Sequence, residues 1–124
     1  MGAKDLVSYY RKRYPLVFMD DSNTDRKIGI RYEEAWKLAR RAASLLKERF
    51  GAQKVVVFGS LTDRSRFTEW SDVDLAVWGV PDELFYAAVG AVIGLSADFM
   101  VDLVDAEDCP DKIRKSIESE GVQV

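Results

Sequence analysis

The segment KVVVFGSLTDRSRFTEWSDVDLAVW, residues Lys54 to Trp78, decides the fold of this chain. It opens with a short run, Lys54 to Phe58, whose β-branched residues and following glycine are typical of a buried strand. Gly59-Ser60 comes next, then eleven mostly polar residues, and then a second strand-like run from Asp72 to Trp78. The pattern predicts two strands connected through a tight turn and a polar crossover.

Two aspartates lie in the second run, at Asp72 and Asp74. Residues two apart in a strand point to the same face, so both carboxylates project together while Val73 and Leu75 point into a core. Asp72 could instead cap a turn, but aspartate is disfavoured inside a strand, and a charge there needs a partner. Paired carboxylates repel each other without a cation, and Mg²⁺ is bound by such oxygen ligands. The pair therefore predicts a divalent metal site.

The Gly59-Ser60 turn is a candidate phosphate-binding element. Glycine lets the backbone approach a phosphate closely, a turn after a strand presents free N–H groups to an anion, and the serine hydroxyl adds a donor. By itself a Gly-Ser pair is an ordinary turn. Its position between a buried strand and the paired aspartates favours a role in binding phosphate.

A third acidic residue, Asp102, interrupts the apolar run Asp98 to Val104, which is predicted to be a third strand. If this strand lies beside the second one, Asp102 can converge with Asp72 and Asp74. Three converging carboxylates would support two metal ions about 4 Å apart, an arrangement that stabilises the attacking and leaving oxygens of an in-line displacement.

The rest of the chain alternates between helical and extended patterns, which predicts an α/β fold with helices packed on a small sheet. Residues 1–31 are expected to form an N-terminal extension that packs on the domain of residues 32–124 or projects from it as a partner-binding arm. The predicted elements outside the central segment are a helix at Asp5 to Tyr14, a polar loop at Asp20 to Lys27, helices at Tyr32 to Phe50, Pro81 to Ile93 and Pro110 to Glu120, and an edge strand at Val122 to Val124.

The amino-acid composition argues against several classes of function. The 124 residues carry a net charge of -3, which argues against direct nucleic-acid binding, since that requires a basic surface. There is no histidine, which excludes Ser-His-Asp and Cys-His catalysis and histidine-based zinc sites, and the single cysteine excludes an internal disulfide. No apolar run reaches the roughly 20 residues of a membrane span, and no signal peptide is evident. A cytoplasmic protein without membrane contact is expected.

Gly59-Ser60 followed by Asp72-x-Asp74 resembles the nucleotidyltransferase superfamily related to DNA polymerase beta. With the short length, it is most similar to the minimal nucleotidyltransferases, antitoxins often encoded beside a HEPN-domain toxin. The resemblance covers Tyr32 to Val124. It implies a fold in the order α-β-α-β-α-β-α, ATP as substrate and a pair of Mg²⁺ ions held by the three aspartates, with Asp102 also activating the acceptor hydroxyl.

One feature departs from the family pattern. Many members have arginine directly after the Gly-Ser pair, where this chain has Leu61. Arg64 and Arg66 in the crossover could supply the positive charge to the triphosphate instead, or could be solvent-exposed loop residues.

The resemblance implies transfer of AMP from ATP to a tyrosine hydroxyl of a HEPN-domain toxin, so that the chain acts as an antitoxin. A chain of 124 residues is expected to be too short for the helical domain with which larger family members hold an acceptor, so the acceptor is expected on another protein. One alternative is a non-catalytic module that neutralises its partner by contact. Another is nucleotidyl transfer to a small molecule.

Overall fold

A computed structural model describes the backbone of residues 21–124 and the side chains of residues 24–124. The described part forms an α/β fold with one four-stranded sheet in the order β3-β2-β1-β4. Strand β1 is antiparallel to β2 and β4, whereas β2 and β3 are parallel, so the predicted small mixed sheet is confirmed. The elements are α1 (Asp21–Phe50), β1 (Lys54–Phe58), a 3-10 turn (Gly59–Thr62), β2 (Val73–Trp78), α2 (Asp82–Ile93), β3 (Val101–Asp105), α3 (Asp111–Glu120) and β4 (Val122–Gln123).

The two faces of the sheet pack against different helices. On one face, Val55 and Val57 of β1 join the buried alanines and leucines of α1 and the buried side chains of α2. On the other face, Val56 and Phe58 pack with Ile117 of α3. Alternate residues of a strand point to opposite faces, so one apolar strand can serve both clusters.

Helix α1 begins much earlier than the sequence pattern predicts. The polar loop predicted at Asp20 to Lys27 is wrong from Asp21 onward, because those residues are helical. The helix also runs unbroken across the predicted boundary after residue 31. Its first half is stabilised by tertiary packing rather than by its own composition, since Ile28 and Tyr32 pack against the main core. The predicted helix at Asp5 to Tyr14 lies outside the described residues.

The other predicted elements agree with the structure in type, with small shifts in their ends. The third strand begins at Val101 rather than Asp98, so residues 98–100 lead into the strand. Strand β4 pairs with β1 at the edge of the sheet, as expected for the C-terminal residues. No helix within residues 21–124 combines the length and apolar character that crossing a bilayer requires.

Candidate active site

The aspartates singled out in the sequence lie on two neighbouring strands. In the parallel pairing of β2 with β3, Asp74 is directly opposite Asp102, and Asp72 immediately precedes β2. In the antiparallel pairing of β1 with β2, Asp74 is opposite Phe58, which brings the Gly59 turn beside it. The sheet register therefore gathers the turn and the carboxylates at one end of the sheet.

Asp74 is the electrostatic centre of this group. Its partial burial, and then the negative charges of Asp102, Asp72 and Glu120, raise its pKa to about 6. Burial and three neighbouring carboxylates together make the charged form of Asp74 unfavourable. A bound cation would relieve this repulsion, because it would offset several negative charges at once.

The residues present suit Mg²⁺ in their chemistry. Carboxylate oxygens are its preferred protein ligands, and one or two of them commonly suffice when substrate phosphates complete the shell. Within residues 21–124, no three Cys, Asp or Glu side chains already surround a common ion position. Asp72 and Asp102 are solvent-exposed, whereas Asp74 is half-buried. To share one ion, Asp72 and Asp102 would have to come closer to Asp74 than they lie in this arrangement.

The Gly59 turn touches the central carboxylate directly. Gly59 has a φ of 77°, in the left-handed region that favours glycine. A Cβ at this position would overlap Oδ2 of Asp74 and lie 3.3 Å from its Cγ. Thr62 Oγ1 closes the turn by donating a 2.7 Å hydrogen bond to the Gly59 carbonyl. The glycine is required here both for the backbone conformation and for the space that the aspartate occupies.

The side chains that follow Gly59 make different contacts. Leu61 is fully buried in the main core, so the position where many relatives carry arginine serves packing in this chain. Arg66 returns to the turn, where its Nη2 donates to the Gly59 carbonyl at 3.1 Å. Arg64 instead lies with its guanidinium carbon 5.4 Å from the ring centroid of Tyr32 on α1. Of the two candidate arginines, the structure brings Arg66 to the turn and Arg64 to the helix.

Glu120, the last residue of α3, is a site residue that sequence reasoning missed. Its Oε1 accepts a 3.1 Å hydrogen bond from the Gly59 N–H, and its Oε2 pairs with Arg66 Nη2 at 2.8 Å. One signal could have indicated it: a carboxylate at the C-terminal end of a helix opposes the helix dipole. Such a residue requires compensating donors from elsewhere in the fold.

Arg31 ties helix α1 to the segments that lead into both aspartate-bearing strands. Its Nη1 donates to the Asp98 carbonyl at 3.2 Å, and its Nη2 makes a longer contact of 3.5 Å with the Ser71 carbonyl. Its guanidinium carbon also lies 4.0 Å from the ring centroid of Phe99. Arg31 lies in the predicted N-terminal extension, yet it links the segment before Asp72 to the segment before β3.

We expect the free energy of unfolding of an Arg31→Ala variant to be about 1–3 kcal/mol lower than that of the wild type. Two carbonyl contacts and a cation–π contact disappear together in this variant. Urea denaturation measures this change. Arg26→Ala is the matched control, since Arg26 is an exposed arginine on the same helix and its loss should leave stability within about 0.5 kcal/mol. Equal midpoints for both variants would contradict the bracing role of Arg31.

A cavity of about 690 Å³ lies beside α1 rather than at the carboxylates. Its walls include Arg31, Leu38 and Phe99. Leu38 and Phe99 belong to the cluster on the α1 face of the sheet, whereas Asp74 alternates with the core residues Val73 and Leu75 and points to the opposite face. The cavity is therefore separate from the candidate active site.

Comparison with known proteins defines the class. The sequence model of the family described as "Nucleotidyltransferase domain" matches residues 39–124, which include every candidate residue of the turn and of the strands. The chain belongs to the nucleotidyltransferase domain family and is an enzyme of that class. A search of curated proteins found no match.

Solved structures share the fold. A mutant form of the toxin–antitoxin complex MntA-HpeT aligns with a TM-score of 0.56 at 22% identity, over 68% of this chain and 69% of that chain. A toxin–antitoxin structure with AMP-PNP aligns with a TM-score of 0.56 at 21% identity, over 68% and 70% of the two chains. The MntA-HepT toxin–antitoxin structure aligns with a TM-score of 0.53 at 20% identity, over 71% and 69%. The predicted nucleotidyltransferase fold is thereby confirmed.

Proposed function

We propose that this protein transfers AMP from ATP to a tyrosine hydroxyl of a HEPN-domain toxin in a Mg²⁺-dependent reaction, and thereby acts as an antitoxin. The observation that carries the proposal is the meeting of the Gly59 turn with Asp74, directly opposite Asp102. The similarity to toxin–antitoxin structures, one of them with the nucleotide analogue AMP-PNP, supports the partner and the donor. Because ATP is the donor, we propose the cytoplasm as the place of reaction.

Asp72, Asp74 and Asp102 are the proposed ligands of Mg²⁺, two ions being the expected number. When bound, Mg²⁺ neutralises triphosphate charge and polarises the α-phosphate. A cation at this position would offset the negative charges of Asp102, Asp72 and Glu120, which together with burial raise the pKa of Asp74. The carboxylates therefore couple nucleotide binding to cation binding.

The Gly59-Ser60 turn and Arg66 are the proposed contacts of the triphosphate. Among residues 21–124 the Ser60 hydroxyl has no hydrogen-bond partner, so it is free to donate to a phosphate oxygen. Arg66 already lies at the turn and supplies a cation that suits phosphate. Arg64 would have to leave Tyr32 to join it.

Asp102 is the proposed acceptor of the proton from the attacking hydroxyl. A bond forms between the hydroxyl oxygen and the α-phosphorus, and the bond from that phosphorus to pyrophosphate breaks. Pyrophosphate leaves with its negative charge near Ser60 and Arg66. Such transfer depends mainly on positioning and electrostatics, which agrees with a site that has no histidine.

The acceptor is proposed to arrive on a second protein. Trp70 and Met100 stand just before the strands that carry the aspartates and are 41% and 59% exposed. Exposed large apolar side chains beside a site are typical of a protein contact surface. A partner that delivers a hydroxyl to Asp102 would meet them.

The test is to incubate the protein with ATP, Mg²⁺ and the HEPN-domain protein proposed as its partner, and to weigh that partner by mass spectrometry. We expect the partner to gain AMP, and to gain none when Mg²⁺ is chelated or when the modified tyrosine is replaced by phenylalanine. Absence of an adduct while the toxin is still inhibited would favour the contact-only alternative. AMP appearing only on an added small hydroxyl compound would favour the other alternative.

A further inference from the structure

Glu120, at the C-terminal end of α3, contacts the Gly59 turn although it lies 61 residues from Gly59 in the sequence. Glu120 bridges two donors, the N–H of Gly59 and the guanidinium of Arg66, while Arg66 also donates to the Gly59 carbonyl. These three groups form a closed ring of hydrogen bonds around one residue of the turn. The ring fixes both the donor and the acceptor of Gly59.

A glutamate at this position is electrostatically unfavourable unless its contacts compensate. The carboxylate opposes the dipole of its own helix, and its charge adds to the repulsion on Asp74. A charge-assisted pair with Arg66 offsets part of these costs, although solvent screens the pair because the Arg66 side chain is 50% exposed and the Glu120 side chain 26%. Residues that break a local rule in this way are expected at functional sites.

The end of α3 is well suited to act as a fixed support. Gly121 directly follows Glu120 and packs closely against the sheet. A Cβ built on Gly121 would lie 2.5 Å from Cγ1 of Val56. Strand β4 then pairs with β1. The backbone that carries Glu120 is thus anchored to the same strand that ends in the Gly59 turn.

We propose that Glu120 is a positioning residue of the nucleotide site, which holds the Gly59 turn and Arg66 in the arrangement that receives the triphosphate. The inference rests on the proposed function, because it assigns the support of that same site. Glu120 does not touch the reacting atoms. Its effect passes through Ser60, which directly follows the held glycine, and through the orientation of Arg66.

The test compares Glu120→Gln with Glu120→Ala in the full chain, by calorimetric titration with Mg²⁺ and the ATP analogue that carries a methylene group between the α- and β-phosphates. Glutamine keeps an acceptor for the Gly59 N–H but loses the charge that pairs with Arg66. We expect binding to weaken about threefold for Gln and about tenfold or more for Ala. Glu118→Gln, an exposed glutamate on the same helix, should bind as the wild type does.

Two further readouts separate positioning from general stability. Thermal unfolding establishes that each variant is folded at the titration temperature, and the amide resonance of Gly59 should shift in the Ala variant because its carboxylate acceptor is gone. If the Ala variant does not fold, the isosteric Gln variant decides.

Unchanged or tighter binding by a folded Glu120 variant would overturn the inference, the tighter result marking Glu120 as an internal anion that competes with the triphosphate. Failure of the wild type to bind the analogue would instead overturn the proposed function, and the positioning role with it.

Discussion

An Asp74→Asn variant is expected to lose at least about a hundredfold of its nucleotidyl transfer activity. Asp74 is the carboxylate that touches the Gly59 turn and stands opposite Asp102, so its charge is central to cation binding. Asparagine keeps the shape and one acceptor oxygen but removes the charge. The rate of AMP transfer to the partner, measured with saturating Mg²⁺ and ATP, checks this expectation.

The same substitution is expected to stabilise the fold in the presence of a chelator at pH 8. The folded-state pKa of Asp74, about 6, lies above its ordinary value of 3.8. A protonated Asp74 therefore stabilises the fold below pH 3.8, and this contribution disappears as the pH rises through 6. The asparagine side chain carries no charge at any pH, so the variant should gain about 1 kcal/mol at pH 8 after solvent screening and progressively less toward pH 4. Urea denaturation at several pH values measures the gain.

Asp105→Asn is the matched control for both measurements. Asp105 lies at the other end of β3, opposite Val77, and its Oδ1 accepts from the Glu107 N–H, a role that asparagine can keep. We expect normal transfer and no comparable gain in stability. Full activity of the Asp74 variant, or an activity loss shared equally by both variants, would refute the central role of Asp74.

A Gly59→Ala variant is expected to lose both stability and activity. The left-handed backbone costs a residue with a Cβ about 1–2 kcal/mol, and the added methyl overlaps the Asp74 carboxylate. To relieve the overlap, either the turn or Asp74 must move, which separates the proposed phosphate donors from the proposed metal ligand. Chemical denaturation together with the transfer assay measures the two losses.

Gly51→Ala isolates the backbone part of that effect. Gly51 has a φ of 72°, close to that of Gly59, but nothing lies within 4 Å of a Cβ built there. It should lose about 1 kcal/mol of stability and keep its transfer activity. If Gly59→Ala behaves no worse than this control, then the contact between the turn and Asp74 has no part in catalysis.

Much of the fold could be predicted from residue order. The runs Lys54 to Phe58 and Asp72 to Trp78 carry the strand periodicity and composition within a few adjacent residues, and the structure has strands there. The Gly59 turn follows from the glycine that ends the first run. Tertiary packing was needed for the start of α1, because the polar residues from Asp21 onward become helical only where Ile28 and Arg31 find partners elsewhere.

The candidate site divides in the same way. The types and spacing of Gly59, Asp72 and Asp74 were readable along the chain, since turn residues and alternation act between near neighbours. The choice of Arg66 over Arg64 at the turn, the register of Asp74 with Asp102 and the arrival of Glu120 were decided by strand order and helix docking. Contacts between residues dozens of positions apart depend on which helices and strands become neighbours. A local sequence pattern does not predict this.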